Sequence, residues 1–138
     1  DFFLYAEESE WCSRLKKQGK LCIYGDCKVV HLQGETSTEV FGSEGKGYFN
    51  LFDKRGLQIM VSNFLRIRKQ FGLGWYFFNL FFYIITLPVF LVGILFNRIT
   101  GKTGYTYKQW TGFRKNVGIL VGLCPKMLSG KPFFYKML

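Results

Sequence analysis

The chain has 138 residues, which is enough for one ordinary domain and too few for two. It has one histidine and four cysteines, none of them in a CxxC pair, and this argues against a structural zinc site. The sequence begins at Asp1 without an initiator Met or a signal peptide, and its first residues are typical of the middle of a domain. We therefore expect a fragment whose N-terminal half is missing.

The net charge of +10 is distributed very unequally along the chain. Residues 1–53 contain all nine acids and six Lys/Arg, whereas residues 54–138 contain thirteen Lys/Arg and no acid. Such a basic segment indicates a polyanionic partner, either nucleic acid or the anionic face of a membrane. The sixteen Phe residues, many of them near basic residues, favour the membrane, because aromatic and basic side chains together suit the headgroup region.

The first part of the chain predicts one helix and two short strands. Residues 7–18 carry acids in the first turn and lysines in the last, which complements a helix dipole. The apolar runs 20–24 and 27–32 are separated by a Gly-Asp turn signal and predict strands. Residues 33–47 are rich in Gly, Ser and Thr, so we expect a loop there and a boundary between domains at residue 47.

The second part predicts helices and a membrane segment. Residues 48–71 suit an amphipathic helix with a basic face. Residues 75–96 are 22 residues without a charge, long enough to cross a hydrocarbon core of about 30 Å. Pro88 favours a kink that would divide this run into two halves.

Basic residues flank the charge-free run on both sides, so the positive-inside rule does not choose a single crossing. A re-entrant or monotopic hairpin fits the charges equally well, and a buried core helix is the remaining alternative. Residues 97–112 predict a polar connection, and residues 113–124 predict a final short helix that Pro125 ends.

The start of the chain resembles the acidic motif of family 2 glycosyltransferases with the GT-A fold. That motif has the form F-L-Y-x-E-[DE]-x-D-W-x-x-R, and the chain reads Phe3-Leu4-Tyr5-Ala6-Glu7-Glu8-Ser9-Glu10-Trp11-Cys12-Ser13-Arg14, with Glu10 in place of the Asp. Two further segments are similar to the family: Gly19–Tyr24 to its G-x-x-x-I-Y strand, and Val29-Val30-His31 with Gly34 and Thr36-Ser37 to its V-x-H-x-x-G-x-[ST] segment.

The resemblance implies an α/β fold class. Residues 1–47 would be the C-terminal, acceptor-side part of a GT-A catalytic domain. Residues 48–138 would be a mostly helical membrane-associated extension, as in rhamnosyltransferase-like members of the family.

The resemblance also implies the catalytic residues. Glu8 corresponds to the family's catalytic base, with Glu7 as the second candidate. An inverting transferase needs a carboxylate to take the proton of the acceptor hydroxyl as its oxygen attacks the sugar. Both carboxylates have an alternative explanation as favourable charges near a helix N-terminus.

Four further residues receive roles from the resemblance. Trp11, Glu10 and Arg14 would contact the acceptor, and His31 would bind a divalent metal, Mn²⁺ or Mg²⁺, held mostly by the missing half. The alternatives are core packing for Trp11, a helix-dipole charge for Glu10, a surface ion pair for Arg14, and a hydrogen-bonded polar group for His31.

The implied function is transfer of a sugar from a nucleotide-sugar donor to a glycan or lipid-linked acceptor. It would take place at the cytoplasmic face of the cell membrane, in cell-envelope polysaccharide biosynthesis. Because the sequence has no Asp-x-Asp motif, we expect no activity from these residues alone. The alternative is a non-enzymatic basic module that binds membrane or nucleic acid. The charge-free run argues against a soluble nucleic-acid binder.

Overall fold

The computed structural model describes residues 1–22, 24–26, 28, 50–102 and 104–137. These residues contain three α-helices, which we number α1 (Glu7–Leu15), α2 (Lys54–Thr100) and α3 (Tyr107–Ser129).

Helix α2 reverses direction at Gly72. The backbone of Gly72 has φ 84° and ψ −172°, a region that essentially only glycine occupies. It divides α2 into a first arm (54–71) and a second arm (73–100). The ring centroids of Phe64 and Tyr83 are 5.1 Å apart, although nineteen residues of straight helix would separate them by about 28 Å. The two arms therefore pack antiparallel against each other.

Helix α3 packs against both arms of α2. Its Trp110 donates a hydrogen bond from Nε1 to the carbonyl of Leu87 (2.9 Å), and the hydroxyl of Tyr76 meets Cys124 Sγ at 3.0 Å. Low residue numbers of α3 thus lie beside high numbers of the second arm, so the two run antiparallel. The chain from residue 54 to residue 129 is a three-helix bundle in which the first arm and α3 run in the same direction.

The ends of these helices follow from local sequence. Asp53 accepts a hydrogen bond from Gly56 N (2.8 Å) as the N-cap of α2, and Thr106 with Gln109 forms a capping box at the start of α3. Gly101 and Gly130 end the two helices with φ 67°. Glycine is favoured there because a residue with a Cβ is strained in the left-handed region.

The first arm is the core of the molecule. Every residue from 55 to 62 is buried, including Arg55, Gln58 and Ser62. The amphipathic pattern of residues 48–71 predicts one exposed face for this segment, and that prediction is wrong for its first turns. The second arm, α3, α1 and the chain ends surround the arm, so even its polar positions lie inside.

The two ends of the chain meet on the first arm. Tyr135 N donates to the carbonyl of Asp1 (3.0 Å), and Phe2 and Tyr135 form a parallel bridge. Gln58 donates from Nε2 to the carbonyl of Tyr135 and accepts at Oε1 from Met137 N, both at 3.0 Å. One buried amide thereby holds the C-terminal tail against the N-terminal segment.

The predicted α/β fold class is wrong. Helices make up 70% of the described structure, and the only β-type pairing among the described residues is the isolated Phe2–Tyr135 bridge. Residues 20–22 and 24 of the first predicted strand are not in a strand, and the second (27–32) lies almost entirely outside the described residues. An apolar run becomes a strand only if another strand pairs with it, and periodicity does not show whether such a partner exists.

Three predicted helix boundaries also change. Helix α1 ends at Leu15 and is followed by a turn, so it is shorter than the predicted 7–18. Helix α2 continues through Pro88 and breaks at Gly72, sixteen residues earlier. Helix α3 starts before residue 113 and continues through Pro125 to Ser129. Packing of the three helices offsets the backbone hydrogen bond that each proline removes.

Candidate acidic site and exposed apolar face

A strained turn sets the direction of α1. Tyr5 and Ala6 have φ 69° and 63°, a left-handed conformation that is uncommon for residues other than glycine. The turn is held by the first arm of α2. Ser62 Oγ donates to the carbonyl of Leu4 (2.6 Å), and Arg55 Nε donates to the hydroxyl of Tyr5 (2.9 Å). Side chains fifty or more residues away thus position the acidic motif.

The acidic residues of α1 open onto one pocket of about 580 Å³. Its lining combines carboxylates, two cationic groups and two aromatic rings, and consists of Asp1, Phe2, Glu7, Glu8, Glu10, Trp11, Arg14 and Lys69. All five residues of α1 that the sequence predicts to act in catalysis or acceptor binding are among them. Their common pocket follows from their spacing on a short helix, where residues three or four apart share a face.

Two of the predicted acceptor residues are already paired with each other. Arg14 Nε donates to both carboxylate oxygens of Glu10, at 2.9 and 3.1 Å, and Glu10 is buried. This is the ion pair that was the alternative explanation for Arg14. The pair forms a wall of the pocket and leaves Glu10 little capacity to bind a ligand.

Glu7 and Glu8 differ in a way that the sequence does not indicate. Among the described residues, Glu7 Oε2 is buried and has no hydrogen-bond partner, whereas Glu8 is exposed to solvent. A buried carboxylate oxygen without a partner costs about 1–3 kcal/mol or more, so such groups call for an explanation. Glu7 therefore holds one buried oxygen without a partner, and Glu8 is the accessible carboxylate of the two.

Trp11 is 57% exposed, so the core-packing alternative for this residue is wrong. Its ring lies on the pocket wall, where a sugar could stack on it.

Lys69 is a pocket residue that sequence reasoning did not single out. Its Nζ pairs with the Asp1 carboxylate and lies 5.7 Å from the ring centroid of Phe2. The neighbouring Gln70 donates from Nε2 to the carbonyl of Ser9 (3.0 Å), which fastens α1 to the end of the first arm. The only sequence signal for Lys69 was its place among the basic residues before the charge-free run.

The described residues do not form a metal site. Within the part of the chain that the structure describes, no three His, Cys, Asp or Glu side chains are arranged so that they could hold a metal ion. His31, the predicted metal ligand, lies outside the described residues. The divalent metal stays a prediction, and no step proposed below depends on it.

The second arm of α2 presents an apolar surface to solvent. It contacts the rest of the bundle through a strip of residues spaced three or four apart, which are Tyr76, Leu80, Tyr83, Leu87 and Phe90. Most of its other large apolar side chains are exposed, and these include Trp75, Phe77, Phe78, Phe81, Phe82, Ile84, Ile85, Val89, Val92, Leu95, Phe96 and Ile99. We call these twelve side chains the apolar face.

The exposure of the apolar face bears on whether residues 75–96 are a buried core helix or a membrane-associated segment. In the most apolar 18-residue stretch of α2, 6% of the residues are buried, so the core-helix alternative is wrong. Among the described helices, α2 is the one long and apolar enough to cross a membrane, by length and composition. A surface of this kind allows association with a membrane.

Comparison of the chain with protein-family models, with curated proteins and with solved structures finds no match. The described residues define a helical bundle that carries an acidic pocket at one place and an apolar face at another. The resemblance of residues 1–37 to family 2 glycosyltransferases stays a prediction.

Proposed function

We propose that this chain is the acceptor-side, membrane-binding part of a glycosyltransferase. One observation carries the proposal. The five α1 side chains of the acidic motif line a single pocket, and Lys69 from the first arm of α2 lines the same pocket. The pocket supplies an exposed carboxylate from Glu8, a second carboxylate from Glu7 and an exposed aromatic ring from Trp11. A carboxylate can take the proton of a sugar hydroxyl, and an aromatic ring can stack on the apolar side of a sugar ring.

Glu8 is the proposed base. Its carboxylate takes the proton of the acceptor hydroxyl while the oxygen of that hydroxyl forms a bond to the anomeric carbon of the donor sugar. The bond from that carbon to the nucleoside diphosphate breaks on the opposite side, which inverts the configuration. The Glu7 carboxylate, which also lines the pocket, accepts a hydrogen bond from a second hydroxyl of the acceptor and so orients it. Trp11 stacks on the acceptor ring.

The apolar face and the basic charge support a place at the membrane. Residues 54–138 carry thirteen Lys/Arg and no acid, and each such residue near an anionic surface contributes about 1 kcal/mol to binding. We place the protein at the cytoplasmic face of the cell membrane, where nucleotide sugars would reach the pocket. The acceptor would be a glycan or lipid-linked sugar, and the proposal requires a donor-binding part outside residues 1–138.

The test is sugar transfer by the complete gene product with Glu8→Gln and Glu7→Gln. The Glu8 variant should lower kcat by about 10²–10⁴-fold, because it removes the base. The Glu7 variant should mainly raise the KM of the acceptor. Asp26→Asn is the matched control, since Asp26 is an exposed acid away from the pocket, and it should transfer normally. Undiminished transfer by the Glu8 variant would rule Glu8 out as the base.

A non-enzymatic membrane-binding module is the second candidate, and the apolar face favours it independently of the pocket. Flotation of the chain with anionic vesicles, beside RNA binding across a salt series, separates membrane from nucleic acid as the partner. Strong flotation together with no transfer from any nucleotide sugar by the complete gene product would favour the module.

A further inference from the structure

The second arm of α2 packs against two other helices along the charge-free run, unlike an isolated helix that crosses a bilayer. At the middle of the charge-free run, Tyr83 packs on Phe64 of the first arm (ring centroids 5.1 Å) and on Phe113 of α3 (6.0 Å). Further along, Phe90 meets Phe52 just before the first arm (5.8 Å). Any movement of the second arm into a bilayer carries these two helices with it.

Both companion helices carry polar groups at this level. The first arm contributes the buried Arg55, Gln58 and Ser62, which bind the chain ends. On α3, Arg114 and Lys115 follow directly after Phe113 and both are exposed, with the Arg114 guanidinium 5.3 Å from the ring centroid of Trp110. A crossing orientation would place two cationic side chains near the bilayer midplane, which is strongly unfavourable.

Three lysines of α3 share one side of the helix. Lys108, Lys115 and Lys126 are seven and eleven residues apart, which brings them to the same face, and all three are exposed, while Phe113, Val117 and Leu120, which face α2, are buried. The apolar face lies on the second arm, across the helix pair from these cations. The second arm of α2 and helix α3 thus form a layer that is apolar on the side of the second arm and basic on the side of α3.

We propose that this layer is monotopic: the second arm of α2 lies along the plane of an anionic phospholipid bilayer, within one leaflet. The apolar face enters the acyl chains, and Arg114 and Lys115 of α3 stay at the level of the phosphates and solvent. Helix axes in contact are about 8–10 Å apart, so α3 reaches the headgroup region when the second arm sits just below it. The inference rests on the membrane-binding part of the proposed function and not on sugar transfer.

Charge identifies lipid as the occupant of the apolar face. A second copy of the chain would bring another thirteen Lys/Arg of residues 54–138 close to the first thirteen, without an acid in either segment. An anionic leaflet instead supplies negative charge beside an apolar interior, which matches both sides of the layer.

Three single-tryptophan variants measure the orientation of the second arm. Phe77→Trp, Ile85→Trp and Phe96→Trp each place the probe on the apolar face, in a background where the native tryptophans are replaced by Phe. The probes at 77 and 96 are about 28 Å apart along the arm. Quenching by phospholipids brominated at different acyl positions, in vesicles of phosphatidylglycerol and phosphatidylcholine, reports the depth of each.

We expect the same depth for all three probes, below the headgroups of one leaflet. A deep probe at 85 with shallow probes at 77 and 96 would overturn the proposal, because a crossing helix gives that gradient. Far-UV circular dichroism of each variant must match the unsubstituted chain.

A second measurement keeps all native tryptophans. Arg114→Gln with Lys115→Gln should weaken binding to the anionic vesicles roughly 10- to 30-fold, since two headgroup contacts are lost. If the arm crosses the bilayer, the same variant should bind more tightly, because two charges leave the apolar interior. Lys16→Gln with Lys17→Gln removes the same charge from exposed positions after α1 and is the matched control.

The outcomes separate the two proposals. Failure of the unsubstituted chain to bind vesicles would overturn both the membrane-binding part of the proposed function and the monotopic orientation. Binding with a depth gradient would overturn the orientation alone. Neither result bears on whether Glu8 acts as a base.

Discussion

Replacement of Gly72 by Ala tests the chain reversal on which the whole bundle depends. Gly72 has φ 84° and ψ −172°, and a Cβ placed there would have no atom within 4 Å. The cost is therefore one of backbone conformation and not of collision. Gly74 is the matched control, because it is two residues away, helical and equally open around its Cβ position.

The two substitutions should change the folding free energy in opposite directions. Holding an alanine in the conformation of Gly72 costs about 1–3 kcal/mol of folding free energy. If the chain avoids that strain by straightening, it loses the packing of Phe64 on Tyr76 and Tyr83, where each aromatic pair contributes about 0.5–1.5 kcal/mol beyond its buried area. Gly74→Ala should stabilise the helix by about 0.5–1 kcal/mol.

The assay is chemical unfolding of the 138-residue chain in mild detergent, followed by circular dichroism. Gly72→Ala should have the lower midpoint of the two variants, by a free-energy difference of about 1.5–4 kcal/mol. If Gly72→Ala is as stable as Gly74→Ala, the chain does not reverse at Gly72 and the antiparallel packing of the two arms is refuted.

Two further substitutions probe the contacts that the reversal creates. Gln58→Leu leaves the carbonyl of the buried Tyr135 without its donor and the half-buried Met137 N–H without its acceptor, so we expect a loss of about 1–3 kcal/mol and faster hydrogen exchange at Met137. Unchanged exchange there would contradict the hydrogen bond. At Gly112 an added Cβ would lie 2.1 Å from the Phe52 carbonyl oxygen, so Gly112→Ala should lower the unfolding midpoint, while Gly118→Ala, with open space, should raise it slightly. Equal midpoints for these two variants would show that α3 does not approach the backbone of Phe52, just before the first arm, so closely.

Local features of the sequence determined several parts of the structure. Asp53 and Thr106 cap helices because their side chains accept hydrogen bonds from backbone N–H groups two or three residues later. The acidic residues of α1 share a pocket because helical spacing brings them to one side. Most of the charge-free run 75–96 is exposed, which its composition predicts for a segment that could associate with a membrane.

Residues far apart in the chain decided the rest. Lys69 joins the pocket only because the first arm brings it beside Asp1, and Gln58 is buried only because both chain ends cover it. The α/β prediction failed for a related reason: strands require partners, and the described part of the chain provides helices in their place. A glycine permits the conformation at residue 72 without requiring it, so the reversal depends on aromatic contacts across nineteen residues. Contacts between residues so far apart depend on how all the helices pack together, and local sequence does not determine that packing.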